Sequence, residues 1–183
     1  KLKNGEVVDR FQTFVNDGGI VPPNITELTG ITTAMLAGAP SSREVLGKFH
    51  KFCEGCCLVA HNAEFDMGYI RFHSERFELK FENKYADTLM LARYLMHDLE
   101  NHKLDTLCEE LGVVLKDHHR ASDDAEATGG VFLKLLDKLK ALDLTTLPVR
   151  SDSVRPTGAK KRANTNHIII LAQTQDGMKN LYR

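Results

Sequence analysis

The chain has 183 residues, of which 42% are hydrophobic and 27% are charged, and its formal net charge is −1 at pH 7. This length fits one domain with a short extension, and the composition excludes a disordered or fibrous chain. The balanced charge excludes a global attraction to nucleic acid or acidic membranes, so any site for an anion must be local.

The sequence also predicts the cellular compartment of the protein. It contains no apolar run near the ~18 residues of a membrane span, and its first ten residues do not resemble a signal peptide. We therefore expect no membrane partner. Four cysteines in such a chain are typical of reduced thiols in a cytoplasmic protein.

The first predicted elements are a hairpin, two short helices and a longer helix. The letters "KNG" predict a turn leading into a strand over residues 6–15, "EVVDRFQTFV". "NDGGIVPPN" predicts a loop, and "ITELTGITTAMLAGAP" predicts a short helix or turn followed by a second short helix that Pro40 closes. Ser41 or Ser42 can cap the next helix, which we expect to continue to about Cys56.

The central segment is predicted to alternate strands and helices. "CLVAHN" predicts a buried strand, and Asn62 can cap the helix after it. "YADTLMLARYLM" predicts a short strand that runs into a helix, and "NHKLDTLCEELG" predicts a helix that ends at Gly112. The helix after "CLVAHN" is expected to turn these side chains toward the core: Phe65, Tyr69, Ile70 and Phe72.

The last strong helix is predicted from about Asp124 to Leu142, with Asp123 and Glu126 as a capping box. Beyond it, "SDSVRPTGAKKRANTN" predicts a linker or flexible loop, "HIIILAQ" a strand and "TQDGMKNLYR" the start of a helix. The buried stripe of the long helix is expected to consist of Val131, Phe132, Leu135, Leu136, Leu139 and Leu142.

Candidate catalytic residues fall in two stretches of the sequence. "LVAHNAEFD" ends an apolar strand with His61 and Asn62 and places Asp66 in the first turns of the next helix. "HHRASDDAEAT" places His119 in a loop and Asp124 at the start of a helix. Functional groups of open α/β sheets gather at the carboxyl ends of strands, so these side chains could share one cleft. The carboxylates suit Mg²⁺ or Mn²⁺, and a neutral imidazole can take a proton from water.

Each of these residues also has a structural explanation. A lone Asp early in a helix is usually explained by compensation of the helix dipole, and a lone loop histidine by solvation; only their joint spacing favours a site.

Asp87 in "YADTL" is expected to be structural and hydrogen-bonded near the site. "CEGCC" could suggest zinc, but no second Cys or His pair follows at structural spacing, so buried thiols are expected.

"AHNAEFD" and "HHRASDDAEAT" resemble the second and third motifs of the DEDDh 3′–5′ exonuclease family. "ELTGIT", "DTLMLAR" and "NHKLDTLCEELGV" resemble, more narrowly, the proofreading exonuclease domain of PolC-type bacterial DNA polymerase III. The resemblance runs essentially from end to end. It implies an α/β, ribonuclease H-like fold, with a mixed sheet flanked by helices on both faces. It also implies an exonuclease domain over 1–148, a linker over 149–166 and the start of a resumed PHP segment over 167–183.

The resemblance assigns a role to each candidate residue. Asp66 and Asp124 match metal ligands of the second and third motifs, and His119 matches the general base. His61 and Asn62 match residues that place the terminal nucleotide. The family implies two Mg²⁺ or Mn²⁺ ions per complete site. The implied partners are a single-stranded 3′ end of DNA and the remaining domains of a parent polymerase.

The family's first motif, Asp-x-Glu followed by Thr-Thr-Gly, is not found in this sequence. The stretches at 98–100 and 124–126 have the Asp-x-Glu spacing. They lie in or beside predicted helices, where residues two apart point roughly 200° apart. Either the motif precedes this segment in the parent protein, which we favour, or the chain is a truncated piece that folds imperfectly. In both cases we expect the N-terminal strands to be incomplete and the isolated chain to be weakly active or inactive.

Two other functions stay open at this point. The first is a non-catalytic module that keeps the exonuclease fold to bind single-stranded DNA ends or to scaffold a polymerase. The second, less favoured because of the PHP-like tail, is an RNA-trimming relative.

Overall fold

The structure is a computed structural model that describes residues 1–115, 121–142 and 169–172. A 3-10 helix at Thr33–Leu36 lies between the first two α-helices. In chain order, the other elements are β1 Leu2–Lys3, β2 Glu6–Val7, α1 Pro23–Thr29, α2 Ser42–Cys53, β3 Cys57–Ala60, α3 Ala63–Arg76, β4 Tyr85–Asp87, α4 Thr88–Leu95, α5 Leu104–Leu111, α6 Ala121–Ala141 and β5 Ile169–Ala172.

The strands form one mixed sheet in the order β2-β1-β5-β3-β4. β3 pairs with β4 in parallel and with β5 in antiparallel orientation, while β1 pairs with β5 in parallel and with β2 in antiparallel orientation. The predicted mixed sheet is thus confirmed. β5 belongs to the stretch expected to start a PHP segment, yet it lies at the centre of this sheet; the expected domain boundary stays a prediction.

The predicted hairpin is present but shorter than expected. Asn4 and Gly5 both have positive φ, 54° and 83°, as a tight two-residue hairpin turn requires. The strand after the turn ends at Val7 instead of continuing to residue 15. Beyond the strand, the Val8 N–H donates to the carbonyl oxygen of Lys1 at 2.9 Å, and the Lys1 ammonium donates to the carbonyl oxygen of Asp9 at 2.6 Å.

Helices cover both faces of the sheet. Neighbouring residues of β3 point to opposite faces, so each packs against a different group of helices. Val59 packs into a cluster with residues of α4, α5 and α6, including Leu107, Phe132 and Leu135. Leu58 packs into a second cluster with α2 and α3 residues such as Met67. This arrangement confirms the predicted fold class.

α2 begins as predicted and ends earlier. The Ser41 side chain accepts from the Glu44 N–H, and the Glu44 carboxylate accepts from the Ser41 N–H, forming a capping box. The helix ends at Cys53, three residues short of the expected Cys56. The side-chain amide of Asn83 donates to the carbonyl oxygens of both Cys53 and Cys56, at 2.8 Å each, which fixes a turn between helix and strand.

The predicted inner face of α3 is wrong for three of its four residues. Only Ile70 is buried, whereas Phe65, Tyr69 and Phe72 are exposed. The buried side of the helix instead consists of Ala63, Asp66, Met67, Ile70 and Ser74. These residues lie within about 100° around the helix, with Asp66 at one edge, so the aromatic rings point away from the core and Tyr69 lies nearest to Asp66.

α6 starts and ends differently from the prediction. It begins at Ala121, so Asp123 lies inside the first turn and cannot be the predicted cap. The Glu126 carboxylate instead accepts from the Arg10 guanidinium, at 2.7 Å. Leu142 follows the helix and is exposed, while the other five residues of the predicted stripe are buried.

The cysteines match the prediction. All four lie among the described residues as free, buried thiols. Burial raises the pKa of Cys57 to about 12, so this thiol stays protonated at neutral pH. Separately, no helix in the described ranges combines the length and apolarity that crossing a bilayer requires.

Two glycines inside helices provide a test of the packing. An added Cβ at Gly68 of α3 meets no atom within 4 Å, whereas at Gly130 of α6 it lies 2.7 Å from Cγ1 of Val113. We expect Gly68→Ala to raise the free energy of unfolding by about 0.5–1 kcal/mol through helix propensity. Gly130→Ala should lower it by about 1 kcal/mol or more through overpacking. Urea denaturation measures both, and equal stabilisation by the two variants would contradict the packing of α6 on Val113.

Candidate active site

The carboxyl end of β3 turns sharply into α3. β3 is fully buried, and Asn62 directly after His61 adopts a left-handed conformation with φ 66° and ψ 51°. Asparagine tolerates this conformation better than most residues. Asn62 occupies the N-cap position of α3, as predicted, but its side chain forms no cap hydrogen bond among the described residues.

Asp87 caps α3 instead. Its Oδ1 accepts from the Asn62 N–H and its Oδ2 from the Ala63 N–H, both at 3.0 Å. Oδ1 also accepts from the Leu89 N–H at 2.8 Å, in the first turn of α4. One carboxylate therefore satisfies backbone donors at the starts of two helices, which otherwise have no intrahelical partner. The expected hydrogen bonding of Asp87 is confirmed, and its exclusion from catalysis stays a prediction.

The pKa of Asp87 reflects two opposing effects. Burial raises the pKa of this carboxyl above its usual range. The N–H groups of Leu89, Asn62 and Ala63 stabilise the ionised form and offset part of that increase.

Asp66 is the fourth residue of α3 and lies on its buried face, with 7% of its surface exposed. Burial raises the pKa of Asp66 to about 7, and the nearby charge of Asp87 adds to the increase. The carboxyl is therefore partly protonated at neutral pH. A cation beside it would favour the ionised form.

Asp124 holds the corresponding position in α6. It is the fourth residue of that helix and is also buried. Its charge contributes to the raised pKa of Cys108, after burial and the charge of Asp105, so Asp124 lies toward α5. The two predicted carboxylates thus come from helices that cover opposite faces of the sheet.

The side chain of His61 is buried between β3 and α4 and is hydrogen-bonded there. Its Nδ1 lies 3.0 Å from Oγ1 of Thr88, and that hydroxyl also donates to the Ala60 carbonyl oxygen at 3.3 Å. Burial lowers the pKa of His61 to about 4, and a hydrogen bond with the backbone of His102 offsets only part of the decrease. The ring is therefore neutral at physiological pH, while the neighbouring Asn62 is partly exposed.

The structure brings together His61, Asn62, Asp66 and Asp87 at the end of β3. His119, the predicted general base, lies outside the described residues. Buried carboxylates are ligands that Mg²⁺ and Mn²⁺ prefer, so Asp66 and Asp124 each fit a site for such an ion. In the described part of the chain, no group of three or more His, Cys, Asp or Glu side chains is placed to hold a metal ion.

Comparisons with known proteins identify the family of the chain. A model of the family described as Exonuclease matches residues 1–132. The DNA polymerase III PolC-type of Caldanaerobacter subterraneus subsp. tengcongensis is 43% identical over 183 residues, and that of Oceanobacillus iheyensis is 41% identical over 184 residues. Both alignments cover 100% of this chain but only 13% of the relative. The chain thus spans a small part of the curated relatives that it matches.

A solved structure shares the fold. It is described as "Exonuclease X in complex with 5' overhanging duplex DNA" and matches with a TM-score of 0.59 and 23% sequence identity. The match covers 77% of this chain and 79% of that chain. The arrangement of strands and helices is therefore that of an exonuclease fold.

Asp87→Asn should destabilise the protein because its new amide nitrogen cannot accept from a backbone N–H. We expect a loss of about 2–3 kcal/mol in the free energy of unfolding, as for the removal of a charged acceptor. Asp98→Asn is the matched control, since Asp98 is 92% exposed and pairs with His97 at the surface. Urea denaturation compares the two, and equal stabilities would contradict the bridging role of Asp87.

Asp66→Asn should stabilise the metal-free protein in a pH-dependent way. Between the ordinary carboxyl pKa of 3.8 and the folded value of about 7, the folded state holds a proton that the unfolded state has lost. Stability therefore falls as pH rises through this window, and the substitution removes that decline because an amide does not titrate. The variant should gain about 2–4 kcal/mol over the parent at pH 8 and little at pH 4.

The measurement is thermal unfolding in EDTA at a series of pH values. A difference between variant and parent that does not change with pH would show that Asp66 titrates normally in the folded state.

Proposed function

This chain belongs to the Exonuclease family, and we propose that it is the 3′–5′ exonuclease domain of a replicative DNA polymerase of PolC type. Its substrate would be the single-stranded 3′ end of DNA, from which it removes mismatched terminal nucleotides in the bacterial cytoplasm. The observation that carries this proposal is the pair of buried carboxylates, Asp66 and Asp124, each in the first turn of a helix and within the residues that the family model matches.

Asp66 and Asp124 would hold Mg²⁺ or Mn²⁺, two ions in a complete site. A bound divalent ion supplies positive charge that stabilises the phosphate and the leaving 3′ oxygen. A bound cation would favour the ionised form of Asp66, whose pKa is raised by burial when no cation is beside it.

The remaining residues would handle water and substrate. His119 would take the proton of the attacking water, since a neutral imidazole can act as a general base. Water would add to the terminal phosphodiester, and the bond from phosphorus to the 3′ oxygen would break, releasing a nucleoside monophosphate. The partly exposed amide of Asn62 can contact the terminal nucleotide, and the buried ring of His61 keeps that turn in place.

We also propose the domain organisation expected from the sequence: an exonuclease domain over 1–148, a linker over 149–166 and a PHP segment from 167. The support is that both cited relatives are much longer polymerases in which this chain covers 13% of the length. Their remaining domains would be its partners.

The isolated chain should be a weak enzyme. Two carboxylates hold Mg²⁺ poorly without substrate phosphates. No group of three or more candidate ligands occurs among the described residues. The same observation favours the second candidate function, a non-catalytic module that binds single-stranded DNA ends or scaffolds the polymerase.

The test is shortening of a 5′-labelled single-stranded DNA in the presence of Mn²⁺. We expect slow shortening from the 3′ end, reduced on the order of 100-fold or more in Asp66→Ala and in Asp124→Ala, because charge stabilisation at the phosphate contributes several kcal/mol. Asp137→Ala is the matched control, since Asp137 is an exposed carboxylate of α6 paired with Lys140.

Each outcome decides between the two functions. Shortening that persists in Asp66→Ala would overturn the assigned site. Absence of shortening by the parent chain, folded by circular dichroism and still able to bind the DNA, would favour the non-catalytic module.

A further inference from the structure

One side of α3 leaves a row of aromatic rings in solvent beside the candidate active site. Phe65, Tyr69 and Phe72 are 60%, 58% and 64% exposed. They fall at positions i, i+4 and i+7, so they share one side of the helix over about 10 Å. We call these three residues the α3 aromatic stripe. A contiguous exposed apolar row, unlike scattered surface residues, marks an interaction surface.

Two rings of the stripe are held in place by a common neighbour. The Tyr69 and His73 rings have centroids 4.3 Å apart. The Phe72 ring meets His73 nearly edge-on, at 5.1 Å and 85°. Because these contacts already restrict both rings, a ligand that packs on them loses less conformational entropy on binding.

The stripe leads away from the candidate active site. Phe65 directly precedes Asp66, in the first turn of α3, at the carboxyl end of β3. Tyr69 follows one turn later and Phe72 nearly two turns later, at about 5.4 Å per turn. A linear ligand that begins at Asp66 and follows the helix would therefore meet one ring after another.

The charge around the stripe favours contact with uncharged groups. α3 carries three acidic residues and two arginines, so it offers no excess of cations. The Arg71 guanidinium lies 3.5 Å from the Glu64 carboxylate and 5.4 Å from the Tyr85 ring centroid. The phosphates of a bound strand would therefore be held by other parts of the protein, while the flat faces of nucleobases match the rings of the stripe.

We propose that Tyr69 and Phe72 form a stacking platform for unpaired bases of the DNA strand whose 3′ end lies at Asp66. The proposal rests on the proposed function and extends its substrate site by about two nucleotides along α3. Stacking uses the face that every base has, so the platform accepts any sequence. Tyr69 and Phe72 are positioning residues, since they touch bases away from the reacting phosphate.

The first test measures binding of a 5′-labelled oligothymidylate by fluorescence anisotropy in EDTA, where hydrolysis does not interfere. Tyr69→Ala and Phe72→Ala should each weaken binding about tenfold, and Tyr69→Phe should restore it because the ring is retained. The losses should be the same at low and high salt, because no phosphate contact is removed. Tyr94→Ala is the matched control, since Tyr94 of α4 is 55% exposed.

The second test detects stacking directly. The chain contains no tryptophan, so Phe72→Trp introduces a single reporter. We expect oligothymidylate to quench its fluorescence, while an abasic strand of the same length quenches little. Equal quenching by both strands, or none by either, would overturn the platform.

The outcomes separate this proposal from the proposed function. If both alanine variants bind like the parent, or the parent binds no DNA, the platform is wrong, whatever the Asp66→Ala result. If Tyr69→Ala changes only self-association in sedimentation, the stripe is a protein interface and the platform is overturned. If Tyr69→Ala loses affinity while Asp66→Ala still shortens DNA, the platform stands and the assigned active site fails.

Discussion

The site depends on a single carboxylate, that of Asp87, which accepts backbone N–H groups from the starts of α3 and α4. Asp87 ends β4 and lies opposite Ala60, the last residue of β3. The sheet and two helices are therefore joined at one point, where neither helix start would otherwise satisfy its donors. These hydrogen bonds fix the orientation of α3 on the sheet, and that orientation places the side chain of Asp66 on the buried face of the helix.

The same junction makes the metal-free site unfavourable. Burial and the charge of Asp87 both raise the pKa of Asp66, so the ionised form is costly without a cation. Buried charges of like sign persist in proteins mainly where function requires them. The carboxylate therefore lowers the stability of the fold near neutral pH. A divalent ion would reverse that cost by pairing with the charge, which couples stability to the proposed activity.

Local signals in the sequence predicted most elements but not the orientation of α3. The Ser41–Glu44 capping box, the buried strand before His61 and the stop at Gly112 each depend on neighbours along the chain. The inner face of α3 was mispredicted because hydrophobicity places aromatic rings in the core. Asp66 was the better guide, since a carboxylate needed at the site must face inward and so turns Tyr69 outward. The sequence did not reveal that the carboxylate of Asp87, and not the side chain of Asn62, accepts from the first N–H groups of α3, because Asp87 is distant in sequence.

The position of β5 could not have been found from periodicity, because it depends on pairing between distant segments. Residues 169–172 pair with β3 along its whole length and with β1 only at Leu2, so β5 connects the β1–β2 hairpin to the rest of the sheet. Without β5, β3 would present unpaired backbone groups along one edge, which proteins generally avoid. The proposed boundary at residue 148 therefore divides sequence segments whose described strands are hydrogen-bonded in one sheet. Residues 169–172 would therefore complete the sheet of the exonuclease domain from the segment that follows the proposed linker.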